Sequence, residues 1–196
     1  MTKTAEDGRV ARGLRTREAV LDALHELYRE GRLTPTIQEL AAKVGVTTRS
    51  IYHHFPDREA LAEALAQQQR ERHPDLLAAR RVRGTRTERV EGIATHRAEL
   101  FETVAPVRRS ALAMMHATPA IQTQQTNMAA HLRRQLARTF ETELSALDPE
   151  AAGEVLELID LHTSWDTWDR LRIWQSLSAG RSRQLVIDLV TQALER

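Results

Sequence analysis

Six side chains that can hydrogen-bond or carry charge lie close together in one short predicted helix near the N-terminus. They are Thr48, Arg49, Ser50, Tyr52, His53 and His54. Ile51 and Phe55 are apolar and four residues apart, so they share the opposite, buried face of this helix. A short helix with so many polar groups on one side has the chemistry needed to read base edges in a DNA major groove. The alternative is an ordinary helical hairpin with a polar outer face.

The residues before this helix predict a second short helix and a tight turn. Residues 36–39, with the sequence TIQE, fit a capping box, in which Thr36 accepts from the Glu39 amide and the Glu39 side chain reaches back. Gly45 can take the left-handed conformation that ends a helix at little cost. Thr47 can then cap the next helix. Two short helices joined by a glycine turn are typical of a helix-turn-helix.

Residues 16–65 resemble the DNA-binding domain of the TetR/AcrR family of bacterial transcriptional regulators. The stretch TREAVLDALHELYREG at residues 16–31 is similar to the first helix of the family, and IYHHFPDREAL at residues 51–61 is similar to the signature that ends its recognition helix. The residues that match this signature are Tyr52, His54, Phe55, Arg58, Glu59 and Leu61.

The chain departs from the family pattern at two places. His53 stands where many members have tyrosine, and Thr48-Arg49 stands where many have a basic residue followed by glycine. Both departures lie on the side expected to face DNA, so they bear on the operator sequence and not on the fold.

Composition and periodicity predict an all-α fold. Aromatic residues make up 4% of the chain, and Ala, Leu, Glu, Arg and Gln dominate it, without the alternation typical of strands. Pro106 is expected to break the helix in which it lies. Capping signals predict helix starts after Asp57, Thr85, Thr118, Asp148 and Ser178. The resemblance implies about nine helices, arranged as an N-terminal three-helix helix-turn-helix domain followed by a larger helical bundle.

Charge is distributed unevenly along the 196 residues, although the net charge is only +1. We expect a flexible basic arm over residues 1–15, the helix-turn-helix domain over residues 16–62, and a ligand-binding and dimerisation bundle over residues 63–196. Arg15 and Arg17, at the end of the arm, are candidates for a neighbouring minor groove. The alternative is a disordered tail without a role.

Several classes of function are not expected from the sequence. The chain has no cysteine, which excludes disulfides and thiolate metal sites. It has no apolar run of about 20 residues and no apolar signal core, so we expect a cytoplasmic protein without a membrane partner. HExxH, a glycine-rich phosphate loop and paired Glu-x-x-His motifs are all missing. We therefore expect no catalytic residue, no metal, no cofactor and no enzymatic activity.

Position on the predicted helices suggests separate roles in DNA binding. Arg49 is the strongest base-edge candidate, because a guanidinium can pair with both major-groove acceptors of guanine. The base-edge candidates are Thr48, Arg49, Ser50 and His53. The phosphate candidates are Thr36, Lys43, Tyr52, His54 and Arg58. For each of them, the alternative is a solvated surface residue.

A second copy of the helix-turn-helix is needed for specific binding, because one head contacts only a few base pairs. The resemblance implies that the last two helices of each subunit, here residues 149–175 and 178–194, form a four-helix interface. Both segments are apolar on more than one side. The interface candidates are Val155, Leu158, Ile159, Leu185, Val186, Leu189 and Val190. We expect a homodimer on a palindromic double-stranded operator, with recognition helices about 34–36 Å apart.

The resemblance also implies a small-molecule effector within the bundle. The pocket candidates are His96, Arg97, Phe101, Met114, Met115, His162, Trp165 and Trp168. The alternative is that the histidines are core groups bonded to backbone carbonyls and that Arg97 extends to water. An inward Arg97 would favour an anionic or carboxylate ligand.

Two functions from different classes follow from these features. The first is a dimeric transcriptional regulator, expected to be a repressor that the effector releases from its operator. The second is a helical protein-interaction scaffold with a vestigial helix-turn-helix.

Overall fold

The computed structural model describes residues 3–114 and 119–195, with side chains described from Val10 onward. These residues form eleven α-helices, one π-helical turn and no strand, which confirms the predicted all-α fold. The helices are α1 (Lys3–Arg29), α2 (Ile37–Val44), α3 (Thr48–His54), α4 (Arg58–Arg72), α5 (Pro74–Leu77), α6 (Arg86–Met114), α7 (Pro119–Thr139), α8 (Glu141–Leu144), α9 (Pro149–His162), α10 (Trp165–Asp169) and α11 (Ala179–Ala193). The π-helical turn covers Arg170–Trp174. None of the helices described is both long and apolar enough to cross a membrane.

The described residues divide into two compact units. The first runs to His73 and includes Ala105–Thr123, and the second consists of Pro74–Val104 and Gln124–Arg196. Helices α6 and α7 therefore contribute residues to both units. The helix-turn-helix and the residues around it lie in the first unit, and α9 to α11 lie in the second.

The first unit has its own hydrophobic core, which positions the helix-turn-helix. Ile51 is fully buried and Phe55 is 2% exposed, so the inner face of α3 packs into this core. The other large apolar side chains buried there are Val20, Leu21, Leu24, Leu40, Leu61 and Leu65. Helices α1 and α2 both contact α3 and fix its orientation, and α4 contributes Leu61 and Leu65 to the same core.

Local capping explains where the first helices begin and end. The Thr36 hydroxyl accepts from the Glu39 amide at 3.1 Å, and the Glu39 carboxylate accepts from the Thr36 amide at 2.8 Å, which completes the predicted capping box of α2. Gly45 ends α2 with a φ of 75°. The Thr47 hydroxyl accepts from the Ser50 amide at 3.1 Å and caps α3. The predicted caps are also present at Asp57, Thr85, Asp148 and Ser178.

Two helix boundaries differ from the prediction. Helix α1 begins at Lys3 instead of near Thr16, and the Thr16 hydroxyl donates to the Arg12 carbonyl at 3.1 Å. Thr16 is therefore a residue of the helix interior, bonded back to the preceding turn, and not a residue that starts the helix. Pro106 was expected to break its helix, but α6 continues through it to Met114. A proline removes only one helical hydrogen bond, and a long helix can accommodate that loss.

The last two predicted helices of the second unit are also divided differently. One helix was expected over residues 149–175, but α9 ends at His162. The Thr163 hydroxyl donates to the Ile159 carbonyl at 2.7 Å at this end. Ser164 then caps α10, because the Ser164 hydroxyl accepts from the Thr167 amide at 3.2 Å. Helix α9 packs against α11. The short helices α5, α8 and α10 are additional, and α6 continues through Pro106, so the described residues form eleven helices instead of about nine. Thr118, a further predicted cap, lies outside the described residues.

A connector, defined here as residues 76–82, is held within the second unit by side chains of α6 and α7. His96 donates to the Leu76 carbonyl at 2.8 Å and His131 donates to the Ala78 carbonyl at 3.0 Å. Arg138 donates to the Ala79 carbonyl at 3.4 Å, and Gln135 donates to the Arg80 carbonyl at 2.7 Å. The Val82 amide donates to the Thr139 hydroxyl at 3.3 Å.

The connector also has an unusual backbone conformation. Ala79 is fully buried and has a φ of 45°, a left-handed conformation that is uncommon for residues other than glycine. Val82 lies directly on α6 at Gly92, where a Cβ would come within 2.6 Å of the Val82 side chain. The connector therefore takes a conformation that its own residues do not favour, held in place by the helices beside it.

Candidate nucleic-acid interface

The outer face of α3 presents polar side chains that have no hydrogen-bond or ion-pair partner in the described part of the chain. Arg49 and His53 are exposed, and neither forms an ion pair or a hydrogen bond with the described residues. The Tyr52 side chain is 52% exposed and is equally unpaired within that part of the chain. These three side chains are accessible to another molecule, and their contact with DNA stays a prediction.

Thr48 and Ser50 are half-buried at the start of the same helix. The Ser50 amide is held by the Thr47 hydroxyl, so the first turn is fixed by its cap. Neither residue belongs to the hydrophobic core of the first unit. Their position at the N-terminal end of α3 suits base-edge contacts, which stay a prediction.

Two of the predicted phosphate contacts already have partners within the protein. Thr36 gives its hydroxyl to the capping box, where it also donates to the Glu39 carboxylate at 2.9 Å. Lys43 lies 2.8 Å from the Glu30 carboxylate and 3.3 Å from that of Glu26, and the hydrogen bond to Glu30 raises its pKa. A phosphate would have to compete with these partners, so Thr36 and Lys43 are weaker candidates than the sequence suggested.

His54 sits at the rim of the core. Its ring contacts the edge of the Phe55 ring at a centroid distance of 6.4 Å, and it lies near Gly13 of α1. Burial, followed by the positive charges of His53 and Arg17, lowers the pKa of His54. The lowered pKa favours the neutral form of His54 at pH 7 in the protein without DNA.

Arg58 is exposed at the first turn of α4 and forms no ion pair with the described residues. It lies at the edge of a cavity of about 30 Å³ in the first unit, which Tyr28, Leu61 and Met114 also line. That volume holds about one water molecule and is far below the few hundred Å³ of a typical ligand site. Arg58 thus remains available for a phosphate.

The predicted basic arm is helical in the structure. Arg15 is exposed, whereas the Arg17 guanidinium lies 5.1 Å above the Phe55 ring and is half-buried. A helix is about 10 Å wide and the minor groove about 6 Å, so this conformation does not suit the minor-groove contact predicted for Arg15 and Arg17. The position of Arg17 instead suits a cation–π contact that covers the core below α3.

The candidate effector residues fall into separate groups. In the second unit, Phe101 contacts Trp165 edge-on at a centroid distance of 5.6 Å and is tilted against Trp168 at 6.4 Å. All three rings are buried, and the Trp168 indole donates to the Glu102 carboxylate at 3.0 Å. This aromatic cluster is a packed core with a polar anchor.

The remaining candidates lie elsewhere. His96 and Arg97 form a polar network next to the connector, and His162 is half-buried at the end of α9. Met114 belongs to the first unit, where it lines the small cavity. Met115 lies outside the described residues. The structure therefore brings together Phe101 with the two tryptophans, and separately His96 with Arg97.

Four of the predicted interface residues are core residues of their own subunit. The side chains of Val155, Ile159, Val186 and Val190 are 5% exposed or less, so they cannot form a surface without rearrangement. This corrects the prediction for those four. Leu158, Leu185 and Leu189 are half-buried and keep part of their apolar surface open. The apolar side chains with the greater exposure are not among the interface candidates, and they are Leu161, Ile173 and Trp174.

The fold and this exposed polar helix face define an all-helical protein with an N-terminal helix-turn-helix. Residues 20–65 match the model of the tetR family of bacterial regulatory proteins. A crystal structure from a Rhodococcus species, assigned to the TetR family of transcriptional regulators, has a TM-score of 0.61 to this chain at 15% identity, over 92% of this chain and 99% of the other. At this identity the likeness concerns the fold. No curated protein sequence matches the chain significantly.

The family model matches residues 20–65, and the likeness to the solved structure shows the fold of the chain. The family match covers the segment in which the motif resemblance is strongest, and the fold match extends over nearly the whole chain.

Proposed function

We propose that this protein is a dimeric, sequence-specific DNA-binding regulator of transcription, acting in the cytoplasm as a repressor that a small effector releases from its operator. The observation that carries DNA binding is the outer face of α3, where Arg49, Tyr52 and His53 are exposed and unpaired within the described residues. The family match points to a transcription factor and away from an enzyme.

The geometry of the first unit supports the proposed docking mode. The inner face of α3 is locked into the core by Ile51 and Phe55, so the helix can enter a major groove as a rigid body. Arg49 is the best candidate for a bidentate contact to guanine. Tyr52 and Arg58 are the best remaining candidates for phosphate, because both are exposed and neither is paired within the described residues.

Selection from random-sequence DNA tests this proposal. We expect the wild-type protein to enrich a palindromic sequence and its affinity to fall steeply with added salt, as phosphate contacts require. Arg49→Ala should bind the enriched sequence about 10- to 100-fold more weakly and discriminate less at one position of each half-site. Arg70→Ala is the matched control, since Arg70 is exposed on α4 and bonded only to Gln67 among the described residues.

The result that contradicts DNA reading is clear. If no sequence is enriched, or if Arg49→Ala and Arg70→Ala bind alike, α3 does not read bases. The alternative, a helical protein-interaction scaffold, would then be favoured.

Dimerisation is proposed through the open side of α9 and α11. Leu158 and Leu185 are half-buried, and Leu161 is 58% exposed, so an apolar surface remains after the core of the second unit is filled. Leu158→Arg and Leu185→Arg are each expected to shift the protein from dimer to monomer in sedimentation and to weaken operator binding in parallel. Glu91→Arg, an exposed charged position on α6, is the control. A wild-type protein that sediments as a monomer at micromolar concentration would refute this part.

A further inference from the structure

Arg97 is a buried cation without a buried anion. It lies on α6 in the second unit and is 1% exposed. Among the residues that the structure describes, none of the ion pairs involves Arg97, and Asp160, whose charge acts on it, is paired with Arg133 at 3.4 Å. Burial lowers the pKa of Arg97 to about 10, which leaves the guanidinium charged at pH 7. A charge in this position destabilises the fold unless an anion joins it.

The hydrogen bonds of Arg97 leave one edge of the guanidinium without an acceptor, although the edge is buried. Nη1 donates to Gln135 Oε1 at 2.6 Å and lies 3.1 Å from His96 Nδ1, and Nη2 donates to the Leu132 carbonyl at 3.2 Å. Nε is buried and has no partner among the described residues. A guanidinium has five N–H groups, so two remain, one on Nε and one on Nη2. These adjacent donors match the two oxygens of one carboxylate.

Apolar side chains are buried beside Arg97 on α6 and elsewhere in the second unit. Ile93 and Phe101 lie one helical turn before and after Arg97 on α6, and both are buried. Leu132 and Leu136 of α7 are buried in the same unit. A free inorganic anion would gain little from such neighbours, whereas a carboxylate attached to a hydrocarbon body would gain from burial of that body.

We propose that Arg97 is the anion-recognising residue of the effector site and that Nε and Nη2 bind the carboxylate of a ligand with an apolar body. The proposal deepens the proposed function, since its regulatory meaning rests on the protein being an effector-controlled regulator. It assigns the effector a chemical class.

The contacts of Arg97 also give the ligand a route to the connector. Gln135 accepts from Arg97 through Oε1 and donates to the Arg80 carbonyl through Nε2. His96 contacts Arg97 through Nδ1 and donates to the Leu76 carbonyl through Nε2. A carboxylate that draws the guanidinium toward itself changes both bridges, and the connector follows α4 in the chain. We therefore expect occupancy to alter operator affinity.

Calorimetry with matched pairs of probes tests the proposal. The probes are octanoate and phenylacetate, each compared with its uncharged amide, octanamide and phenylacetamide. We expect the carboxylates to bind the full-length wild-type protein at least about 30-fold more tightly than the amides, because only they pair with the buried charge. Binding is expected to be slower than diffusion allows, since the packing around Arg97 must open first.

A spectroscopic readout makes the test independent of substitutions. In wild-type protein labelled with ¹⁵N-arginine, the Arg97 Nε–H resonance is expected to shift on addition of octanoate and to stay in place on addition of octanamide. If neither carboxylate binds, or if this resonance does not respond, the proposal is overturned.

Substitutions then locate the site. Arg97→Lys keeps the charge but lacks the two-donor edge, so octanoate binding should weaken at least about tenfold. Gln135→Glu places a carboxylate beside Nη1 and should abolish octanoate binding in a protein whose circular dichroism shows that it is folded. Arg134→Gln, at an exposed position on α7, is the control and should bind octanoate as the wild type does. Unchanged binding in both Arg97→Lys and Gln135→Glu overturns the assignment.

The outcome for DNA binding is separate. If the protein selects an operator but binds no carboxylate, the proposed anion site is wrong and the proposed regulatory function is supported. If octanoate binds through Arg97 but no DNA sequence is selected, the anion site is supported and the proposed regulatory function is wrong. Both proposals are supported if octanoate changes operator affinity in the wild type and not in Arg97→Lys.

Discussion

Helices α3 and α7 both carry a row of polar side chains, but the two rows are used in opposite ways. On α3, Arg49, Tyr52 and His53 point to solvent and bond to none of the described residues. On α7, Gln135 and Thr139 are buried, and each bonds to the backbone of the connector. Polar atoms in solvent keep water as their partner and can be exchanged at little free-energy cost. Buried polar atoms destabilise the fold when a partner is lost.

The difference separates residues that maintain the structure from residues that are available to a second molecule. On this view the outer face of α3 can vary in sequence without loss of stability, and the polar face of α7 cannot. The aromatic cluster around Phe101 belongs to the residues that maintain the structure, because its rings are buried and Trp168 is anchored by Glu102.

Removal of Gln135 is expected to have the largest effect. Gln135→Ala leaves an Arg97 donor and the Arg80 carbonyl without their partner in a buried position, which should lower the free energy of unfolding by about 2–4 kcal/mol. Chemical denaturation measures this change. His53→Ala, at an exposed position on α3, is the comparison and should stay within about 0.5 kcal/mol of the wild type. Equal effects of the two changes would remove the distinction drawn between the helices.

Loss of the α3 cap is expected to have an intermediate effect. Thr47→Ala removes the acceptor for the Ser50 amide and should lower the free energy of unfolding by about 1 kcal/mol, seen as a fall in Tm of about 2–4 °C. Thr47→Ser keeps the acceptor and should restore most of the stability. An alanine variant as stable as the serine variant would show that the first turn of α3 is held by tertiary packing alone.

A change on the exposed face of α3 should affect DNA binding but not folding. Tyr52→Phe removes a single hydroxyl and is expected to weaken binding to all operators about equally, by roughly two- to tenfold, with Tm unchanged. Fluorescence anisotropy with two operators of different sequence measures the effect. A loss of affinity confined to one operator would show that Tyr52 contacts a base and not a phosphate.

The pH dependence of stability should also differ between the buried polar network beside α7 and the exposed capping box of α2. Burial lowers the pKa of His96, so its contribution to stability is present above pH 6.5 and is lost as the pH falls below that value. Hydrogen bonds from Thr36 hold the pKa of Glu39 at about 2, so the capping box contributes above pH 4.5 and fails only as the pH falls from there toward 2.

Replacement of His96 by a group that does not titrate isolates its share of this dependence. His96→Gln can still bond to the Leu76 carbonyl, and it should flatten the fall in stability between pH 6.5 and 5. His25 and His54 also have pKa values lowered mainly by burial, so part of the fall remains in the variant. An unchanged pH profile would show that His96 does not couple protonation to folding.

The sequence predicted local features of the fold well. Caps at Thr36, Thr47 and Asp57 follow from short-range hydrogen bonds between residues three apart, and the turn at Gly45 follows from its backbone freedom. The effect of Pro106 was predicted wrongly, because local propensity cannot show whether the rest of a long helix holds its shape.

Features that depend on partners distant in sequence were not predictable. His131, Gln135 and Thr139 recur at the spacing of one helix face, which signals a shared environment but not its identity. Their partners lie more than 50 residues away in the connector. Likewise, the burial of Val186 within its own subunit depends on how α9 and α11 pack, which an apolar pattern alone does not decide.

Gly92 offers a way to recognise relatives that share the connector geometry. Glycine inside a helix is usually unfavourable by roughly 0.5–1 kcal/mol relative to alanine, yet here its missing side chain is what lets Val82 rest on the backbone of α6. A chain with a bulky residue at this position would have to route the connector differently. Glycine here, together with an amide or hydroxyl at the positions of Gln135 and Thr139, is therefore a compact sequence marker of this arrangement.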